Sequence, residues 1–270
     1  MTTEIAVLFC IAGGLASGLL AGLLGIGGGL VVMPLLYACL PALGIADAAL
    51  PEVAVATALA VMLPTTLSAT WAQHRRGAID WPWAARMAPA TLVGSAAGAL
   101  LATQLQGKAL SLLFIAYASW CGLRMLLPAA RVAAPALPLP AGAALMPGAP
   151  LALLVGGLGA SAGLGSALIV VPCLLRRGLQ MKHAVANSTV LNLLVSARGL
   201  LSLSLPALLL SAQAGPTQWL LAAGIGVGAV LGAPCGVALS HRLPVAQLRC
   251  GFGLVTLSAG AGMLIHLSAV

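Results

Sequence analysis

Acidic residues are almost absent from this chain of 270 residues. It has four Asp and Glu against twelve Lys and Arg, and charged residues make up 6% of the sequence. A soluble globular domain has about 25% charged residues, so this composition excludes a soluble enzyme, a disordered protein and a nucleic-acid-binding domain. The net charge of +8 results from the shortage of acids. The sequence is typical of a protein whose solvent is a lipid bilayer.

Catalytic and metal-binding motifs are also missing. The sequence contains no paired carboxylates, no H-E-x-x-H and no Walker phosphate loop. The six cysteines lie apart within apolar runs and form no C-x-x-C pair, which disfavours zinc and redox chemistry. We therefore expect no enzyme activity, no metal and no cofactor.

Apolar runs account for most of the chain, and 61% of its residues are hydrophobic. A membrane-spanning helix needs about 20 apolar residues. The apolar segments lie approximately at 4–43, 53–72, 83–104, 109–127, 150–175, 184–211, 217–240 and 245–268. The sequence thus predicts an all-α, polytopic membrane protein.

The two halves of the chain are similar to each other. Residues 18–34 resemble residues 156–172, and residues 94–126 resemble residues 232–264, so both pairs of segments are related by one and the same offset in residue number. A shared offset at two distant places indicates an internal duplication. A stretch with six prolines, which prevent a regular helix, separates the two copies. We predict a first repeat at 1–127, a Pro-rich linker at 128–149 and a second repeat at 150–270.

The basic residues help to choose a topology, because cytoplasmic loops collect Lys and Arg. If all eight segments cross, five basic residues lie on one side and six on the other. The alternative is that the first segment of each half dips to mid-depth and returns. Ten basic residues then lie on the cytoplasmic side, Lys108 lies on the outer side, and Arg198 stays within the membrane. We predict two inverted repeats in the inner membrane, each with a re-entrant segment and three transmembrane helices. Eight full crossings remain the alternative.

Glycines interrupt the first apolar run of each half. Four of the five residues from 25 to 29 are glycine, and glycine costs a helix about 1 kcal/mol relative to alanine. An interrupted helix leaves free N–H groups and a positive dipole end, which attract anions. Paired interruptions in two halves indicate a transporter binding site near the midplane. The predicted site residues in these breaks are Gly25, Gly27, Gly28, Gly29, Gly163, Gly165 and Ser166.

Other glycines have a simpler interpretation. Small residues at such spacings let helix backbones approach closely in lipid. We predict this packing role for Gly13, Gly14, Gly18, Gly22, Gly94 and Gly98. Packing also remains the alternative for the two breaks.

At these residues the chain resembles the sulfite exporter TauE/SafE family, also called the toluene-sulfonate uptake permease family. The resemblance rests on the break that ends at Pro34, its repeat that ends at Pro172, segments 54–57 and 74–80, and the pattern from Gly228 to Phe252. It runs over nearly the whole chain, and the order of the motifs is its most specific feature. The resemblance implies a multi-pass inner-membrane carrier of small sulfur-containing anions, such as sulfite or organosulfonates.

Polar side chains inside the apolar runs are candidates to contact such an anion. An arginine within a membrane segment, as Arg198 is, is rare and often functional, and its planar guanidinium suits a pair of sulfonate oxygens. A snorkelling arginine is the alternative. The predicted contacts outside the breaks are Thr57, Thr66, Asn187, Ser188, Asn192 and Arg198, although serine and threonine often bond a local carbonyl instead.

These features predict a secondary transporter that moves a small sulfur-containing anion by alternating access. The anion is held at the glycine-broken helix N-termini near the midplane. A passive anion channel and a carrier of another small anion are the alternatives. Either a proton or sodium is compatible as coupling ion, membrane lipid is the other expected partner, and the sequence predicts neither the transport direction nor the oligomeric state.

Overall fold

The fold is built from α-helices. The computed structural model describes residues 3–41, 45, 50–105, 107–126, 149–163, 165–176, 178–209 and 218–269, which contain ten helices and no strands. The helices are α1 (Thr3–Leu24), α2 (Gly29–Cys39), α3 (Leu50–His74), α4 (Trp81–Gln104), α5 (Gly107–Leu126), α6 (Ala149–Ser161), α7 (Ala167–Arg176), α8 (Met181–Leu209), α9 (Trp219–Ser240) and α10 (Val245–Ala269). The predicted linker lies outside the described residues, except for Ala149 at the start of α6.

Five of the described helices are long and apolar enough to cross a membrane. These spans are Leu50–His74, Trp81–Gln104, Met181–Ser202, Trp219–Ser240 and Ala246–Ile265. By contrast, α2 has 11 residues and α7 has 10, which reach about half of the ~30 Å hydrocarbon core at about 1.5 Å per residue. The all-α prediction is confirmed for the described residues, and the five candidate spans are consistent with a multi-pass membrane protein. The inverted repeats and the re-entrant path of the first segments stay predictions.

The outer surface of the helix bundle is apolar. Leu220 is 89% exposed, and Val93, Leu231 and Ile265 are each more than 60% exposed. Large apolar side chains at such exposure are unusual over the surface of a soluble monomer. In a bilayer they contact lipid tails, which explains why polar side chains are found buried inside the bundle instead.

Glycines bring helices of the two halves into backbone contact. A Cβ atom added to Gly18 of α1 would overlap the Ala229 carbonyl oxygen of α9, and one added to Gly98 of α4 would overlap the Gly157 carbonyl oxygen of α6. The predicted packing role is confirmed for these glycines. The same backbone contact occurs for Gly14 and Gly22 against α9 and for Gly94 against α6, whereas Gly13 packs against the side chain of Leu35 of α2.

The packing pattern stays the same when the two halves are exchanged. α1 packs on α9 as α6 packs on α4, and α3 packs on α9 as α8 packs on α4. α2 contacts α3 as α7 contacts α8. Two further contacts join corresponding helices of the two halves directly: α3 with α8, and α5 with α10. The helix starts follow the same offset in residue number. It relates the first residues of α2, α4 and α5 to those of α7, α9 and α10. Both helix breaks therefore come to lie against the central pair, α3 and α8.

The end of α3 and the start of α8 lie at the same end of the bundle. Nδ1 of His183 on α8 donates to the Ala78 carbonyl oxygen in the loop after α3, at 3.0 Å. His241, which follows α9, lies 3.0 Å from Gln73 of α3. The corresponding helices α3 and α8 therefore run in opposite directions. We call this the basic end, because Arg75, Arg76, Lys182 and Arg242 adjoin these helix termini.

Candidate functional site

The first break separates α1 from α2 over residues 25–28. Gly25, Gly27 and Gly28 have φ angles of 71°, 72° and 87°. These angles lie in the left-handed region, which glycine adopts without the steric cost that other residues incur. The glycine-rich sequence therefore ends one helix and starts the next within four residues, as predicted.

The second break repeats this backbone course. Gly163 and Gly165 have φ angles of 64° and 76°, and the repeat offset makes them the counterparts of Gly25 and Gly27. In the first break the Gly28 carbonyl oxygen accepts from the N–H groups of residues 31 and 32, and the Ser166 carbonyl oxygen accepts from those of residues 169 and 170. Ser166 thus occupies the place of Gly28, and the break persists without the full set of glycines.

The two breaks touch each other at the centre of the bundle. A Cβ atom added to Gly29 would overlap the carbonyl oxygen of Gly163. Such an approach is open only to glycine, and it joins the start of α2 to the second break. Two interrupted segments that lie far apart in sequence therefore form one locus.

Asn192 of α8 links the two breaks through its side-chain amide. Its Nδ2 donates to the Gly25 carbonyl oxygen, and its Oδ1 accepts from the backbone N–H of Ser166. Ser166 Oγ lies 2.8 Å from the same Oδ1. Ser188, one helical turn earlier, lies 3.3 Å from the Gly25 carbonyl oxygen through its Oγ. These side chains satisfy backbone groups that the unwound segments leave unpaired.

α3 contributes Met62 and Thr66 to the same locus. A Cβ atom added to Gly27 would lie 2.7 Å from Met62 Cε, and one added to Gly165 would lie 3.0 Å from it, so this methyl group sits between the breaks. Thr66 Oγ1 donates to the Met62 carbonyl oxygen at 2.7 Å. The break cluster, as we name it, consists of Gly25, Gly27, Gly28, Gly29, Gly163, Gly165, Ser166, Ser188, Asn192, Thr66 and Met62.

The helix starts in the break cluster present backbone N–H groups for which the described residues supply no acceptor. The N–H groups of Gly29 and Leu30 at the start of α2 have no acceptor among the described residues, and neither do those of Ala167 and Leu168 at the start of α7. Each helix start carries the positive end of a helix dipole. No residue of the break cluster bears a charge, so these donors and dipoles make the locus electropositive. Such a site can hold an anion.

The break cluster is closed in this structure. The residues from Gly25 to Leu30, and Gly163, Gly165 and Ser166, are all buried. A groove of about 470 Å³ between α3 and α9 is lined by Ala60, Pro64 and residues of α9, none of which belongs to the cluster. A ligand therefore reaches the cluster only after the helices move.

Three of the predicted contacts lie apart from the break cluster. Thr57 Oγ1 accepts from the backbone N–H of Gln218 at the start of α9. Asn187 holds the loop before α4, because its Oδ1 accepts from the Asp80 N–H at 3.0 Å. Arg198 is exposed, since it lies about 200° around α8 from Ser196. The structure does not bring these side chains together with the breaks.

Sequence reasoning did not include Met62 or Ser17. Ser17 Oγ donates to the Gly28 carbonyl oxygen at 3.1 Å and so supports the first break. A methionine on an apolar helix and a serine in a glycine-rich helix carry no distinguishing pattern. Only the packing of α1 and α3 on the breaks shows their contact.

The chain matches a known family over nearly its whole length. A family model described as "Sulfite exporter TauE/SafE" matches residues 10–263. The chain belongs to the sulfite exporter TauE/SafE family. The resemblance seen in the sequence is thereby confirmed.

Two relatives of this TauE/SafE protein support a membrane transporter. It is 26% identical over 268 residues to "Probable membrane transporter protein" of Haemophilus influenzae, covering 96% of this chain and 98% of that protein. It is 26% identical over 254 residues to "Probable membrane transporter protein YunE" of Bacillus subtilis, covering 85% of this chain and 87% of that protein. No solved structure shows a significant match.

Proposed function

We propose that this TauE/SafE protein is a secondary transporter of small sulfur-containing anions, sulfite or an organosulfonate, in the cytoplasmic membrane. The observation that carries the proposal is the meeting of the two breaks at Asn192. Each half contributes one break, so a movement of the halves against each other opens or closes the cluster. That geometry suits alternating access.

The chemistry of the break cluster favours an anion over a cation or a neutral solute. Two helix starts supply N–H groups and positive dipole ends, and Ser166, Ser188 and Thr66 supply hydroxyl groups. An oxyanion can accept hydrogen bonds from the N–H groups, and from the hydroxyl groups once they release the carbonyl oxygens to which they now donate. The cluster has no acidic side chain to repel a negative charge. N–H donors bind oxyanions of many kinds, so the sulfur-containing class rests on the family description.

Inverted repeats at 1–127 and 150–270 fit the opposite directions of α3 and α8. With eight full crossings, Ala78 and His183 would lie on opposite faces of the membrane, yet they share a hydrogen bond. Gln73 and His241 would be separated in the same way. These contacts support the topology in which the first segment of each half is re-entrant, with the basic end in the cytoplasm.

The closed cluster favours a carrier over a passive channel. A channel needs a continuous path, whereas here Met62 and the packed glycines fill the space between the breaks. The cluster has no carboxylate to carry a proton. A proton would therefore enter with the anion itself or on a histidine of the basic end, and sodium bound by break carbonyls is the other possible driver.

Reconstitution into liposomes tests this function. We expect saturable uptake of labelled sulfite, and faster uptake when the vesicles contain unlabelled sulfite. A channel would show neither saturation nor this counterflow. Absence of flux above empty liposomes for sulfite and for benzenesulfonate would refute the proposed function.

A further inference from the structure

A row of polar side chains connects the break cluster to the basic end. Thr66, Thr70 and Gln73 are separated by four and three residues on α3 and so share one face of the helix. Thr66 belongs to the break cluster, and Gln73 lies about 10 Å farther along α3 at about 1.5 Å per residue. Gln73 is 0% exposed and Thr70 is 6% exposed. This row forms one buried polar face of α3.

Two groups in this row have no partner in the part of the chain that the structure describes. Gln73 Nε2 and Thr70 Oγ1 are buried and make no hydrogen bond with any described residue. The other atom of the Gln73 amide is occupied, because Nε2 of His241 donates to Gln73 Oε1 at 3.0 Å. That bond orients the amide so that its two N–H hydrogens are free. Buried donors without acceptors are unfavourable, and a bound acceptor would satisfy them.

Basic side chains that follow α3 and open α8 lie near His241, which holds the Gln73 amide. Burial lowers the pKa of His241 below its ordinary value, and the charges of Arg76, Lys182 and His183 lower the pKa further. Arg76 follows α3, while Lys182 and His183 open α8. The acid nearest in sequence, Asp80, accepts from the Trp83 N–H through its Oδ1 and caps α4. Cations therefore dominate this end of the polar row.

We propose that Thr70, Gln73, Arg76, Lys182 and His241 form a second anion site, at which a small oxyanion such as sulfite binds before it reaches the break cluster. The identity of the anion rests on the proposed function. Gln73 Nε2 and Thr70 Oγ1 donate to its oxygens, Arg76 and Lys182 balance its charge, and His241 orients the Gln73 amide. The site lies about two turns of α3 from Thr66, so the anion needs a short displacement to pass from one site to the other.

Calorimetric titration of the purified protein with sulfite tests this site. We expect Gln73→Leu to weaken sulfite binding about tenfold or more, as expected when a hydrogen bond to a charged group is lost. Gln247→Leu is the matched control, because Gln247 is exposed near the start of α10 at the same end of the bundle. If Gln73→Leu fails to fold, Gln73→Glu keeps the acceptor for His241, removes the donor and adds a repelling charge.

The titration and a flux measurement together separate this site from the proposed transport. We expect Gly27→Ala to lose sulfite flux but to keep the Gln73-dependent binding. Unchanged binding in both Gln73 variants, or complete loss of binding in Gly27→Ala, would overturn the second site while leaving transport standing. Gln73-dependent binding in a wild-type protein that moves no sulfite would refute the transport and leave the second site standing.

Discussion

Asn192 connects both halves of the molecule through one side-chain amide. Its donor meets the Gly25 carbonyl oxygen of the first half, and its acceptor meets the Ser166 N–H of the second. A carboxamide is suited to this position because it both donates and accepts while it carries no charge. A ligand that pulls either break away must exchange these hydrogen bonds, which ties binding to the relative position of the halves.

The variant Asn192→Asp tests this residue. The carboxylate cannot donate to the Gly25 carbonyl oxygen, and its charge would repel an anion in a buried setting. We expect kcat/KM for sulfite counterflow to fall about a hundredfold or more. Gln104→Glu adds the same charge at an exposed position at the end of α4, and it should transport like wild type. Normal flux in Asn192→Asp would refute the role of the amide.

At the residue scale, two of the predicted anion contacts lie against the first break, while their contact with an anion stays a prediction. Ser188 and Asn192 share a face of α8 at a spacing of four residues, and both contact Gly25. Arg198 was predicted from its rarity in a membrane segment, but rarity says nothing about the direction of a side chain. Met62 had no signal at all, because an apolar residue in an apolar helix differs from its neighbours only by its packing.

Glycine serves two different purposes in the helices. In α1, α4 and α9 it lies in regular helix and permits backbone contact, as for Gly18 against Ala229. In the two breaks it adopts positive φ and ends the helix. Both uses occur within α1 and its continuation, so a count of glycines does not distinguish them. The density of four glycines in five residues identified the break, whereas the spacing of four identified the packing face.

The variant Gly27→Ala tests the break as an element. Alanine at φ 72° costs about 1–2 kcal/mol, and its methyl group would press on Met62 and Thr66. We expect the protein to fold with lower stability and to lose most of its sulfite flux. Gly178→Ala is the control, because Gly178 also has a positive φ, of 85°, but no atom within 4 Å of an added Cβ. Equal flux in the two variants would mean that the space between the breaks is unimportant.

The variant Gly18→Ala tests helix packing. The added methyl group would overlap a backbone carbonyl oxygen of α9, and overpacking of this kind costs about 1–3 kcal/mol. We expect a lower melting temperature in detergent. Gly262→Ala, at an exposed position of α10 with no atom within 4 Å of the added Cβ, should melt at the wild-type temperature or above it, because alanine favours a helix. A stable Gly18→Ala protein would contradict the close contact of α1 with α9.

Across the whole molecule, corresponding helices of the two halves make corresponding contacts. The constant offset between the repeats in the sequence reappears as matching helix starts and matching helix pairs. Composition and the lengths of the apolar runs were sufficient to predict helices and a membrane environment, because these depend on local sequence. They could not predict that the first helix of each half packs on the fourth helix of the other, since that contact depends on matching surfaces of distant segments.

The stability of the whole molecule should depend on pH through His241. Its pKa is lowered in the folded protein, so the unfolded chain takes up this proton first as the pH falls through about 6.5. Unfolding is therefore favoured progressively as the pH falls from about 7 toward the lowered pKa. We expect the melting temperature to fall over this range in wild type and to fall less in His241→Gln. His74→Gln controls for the loss of a histidine at the same end, and an identical decline in His241→Gln and wild type would contradict the assignment.

The position of a bound anion tests the account most directly. Selenite has the shape and charge of sulfite, and its selenium atom scatters X-rays anomalously, so a crystal structure with selenite would locate it. We predict an anomalous peak between the starts of α2 and α7, in contact with Asn192. Continuous helices through residues 25–29 and 163–167, or selenite that contacts neither break, would contradict the account.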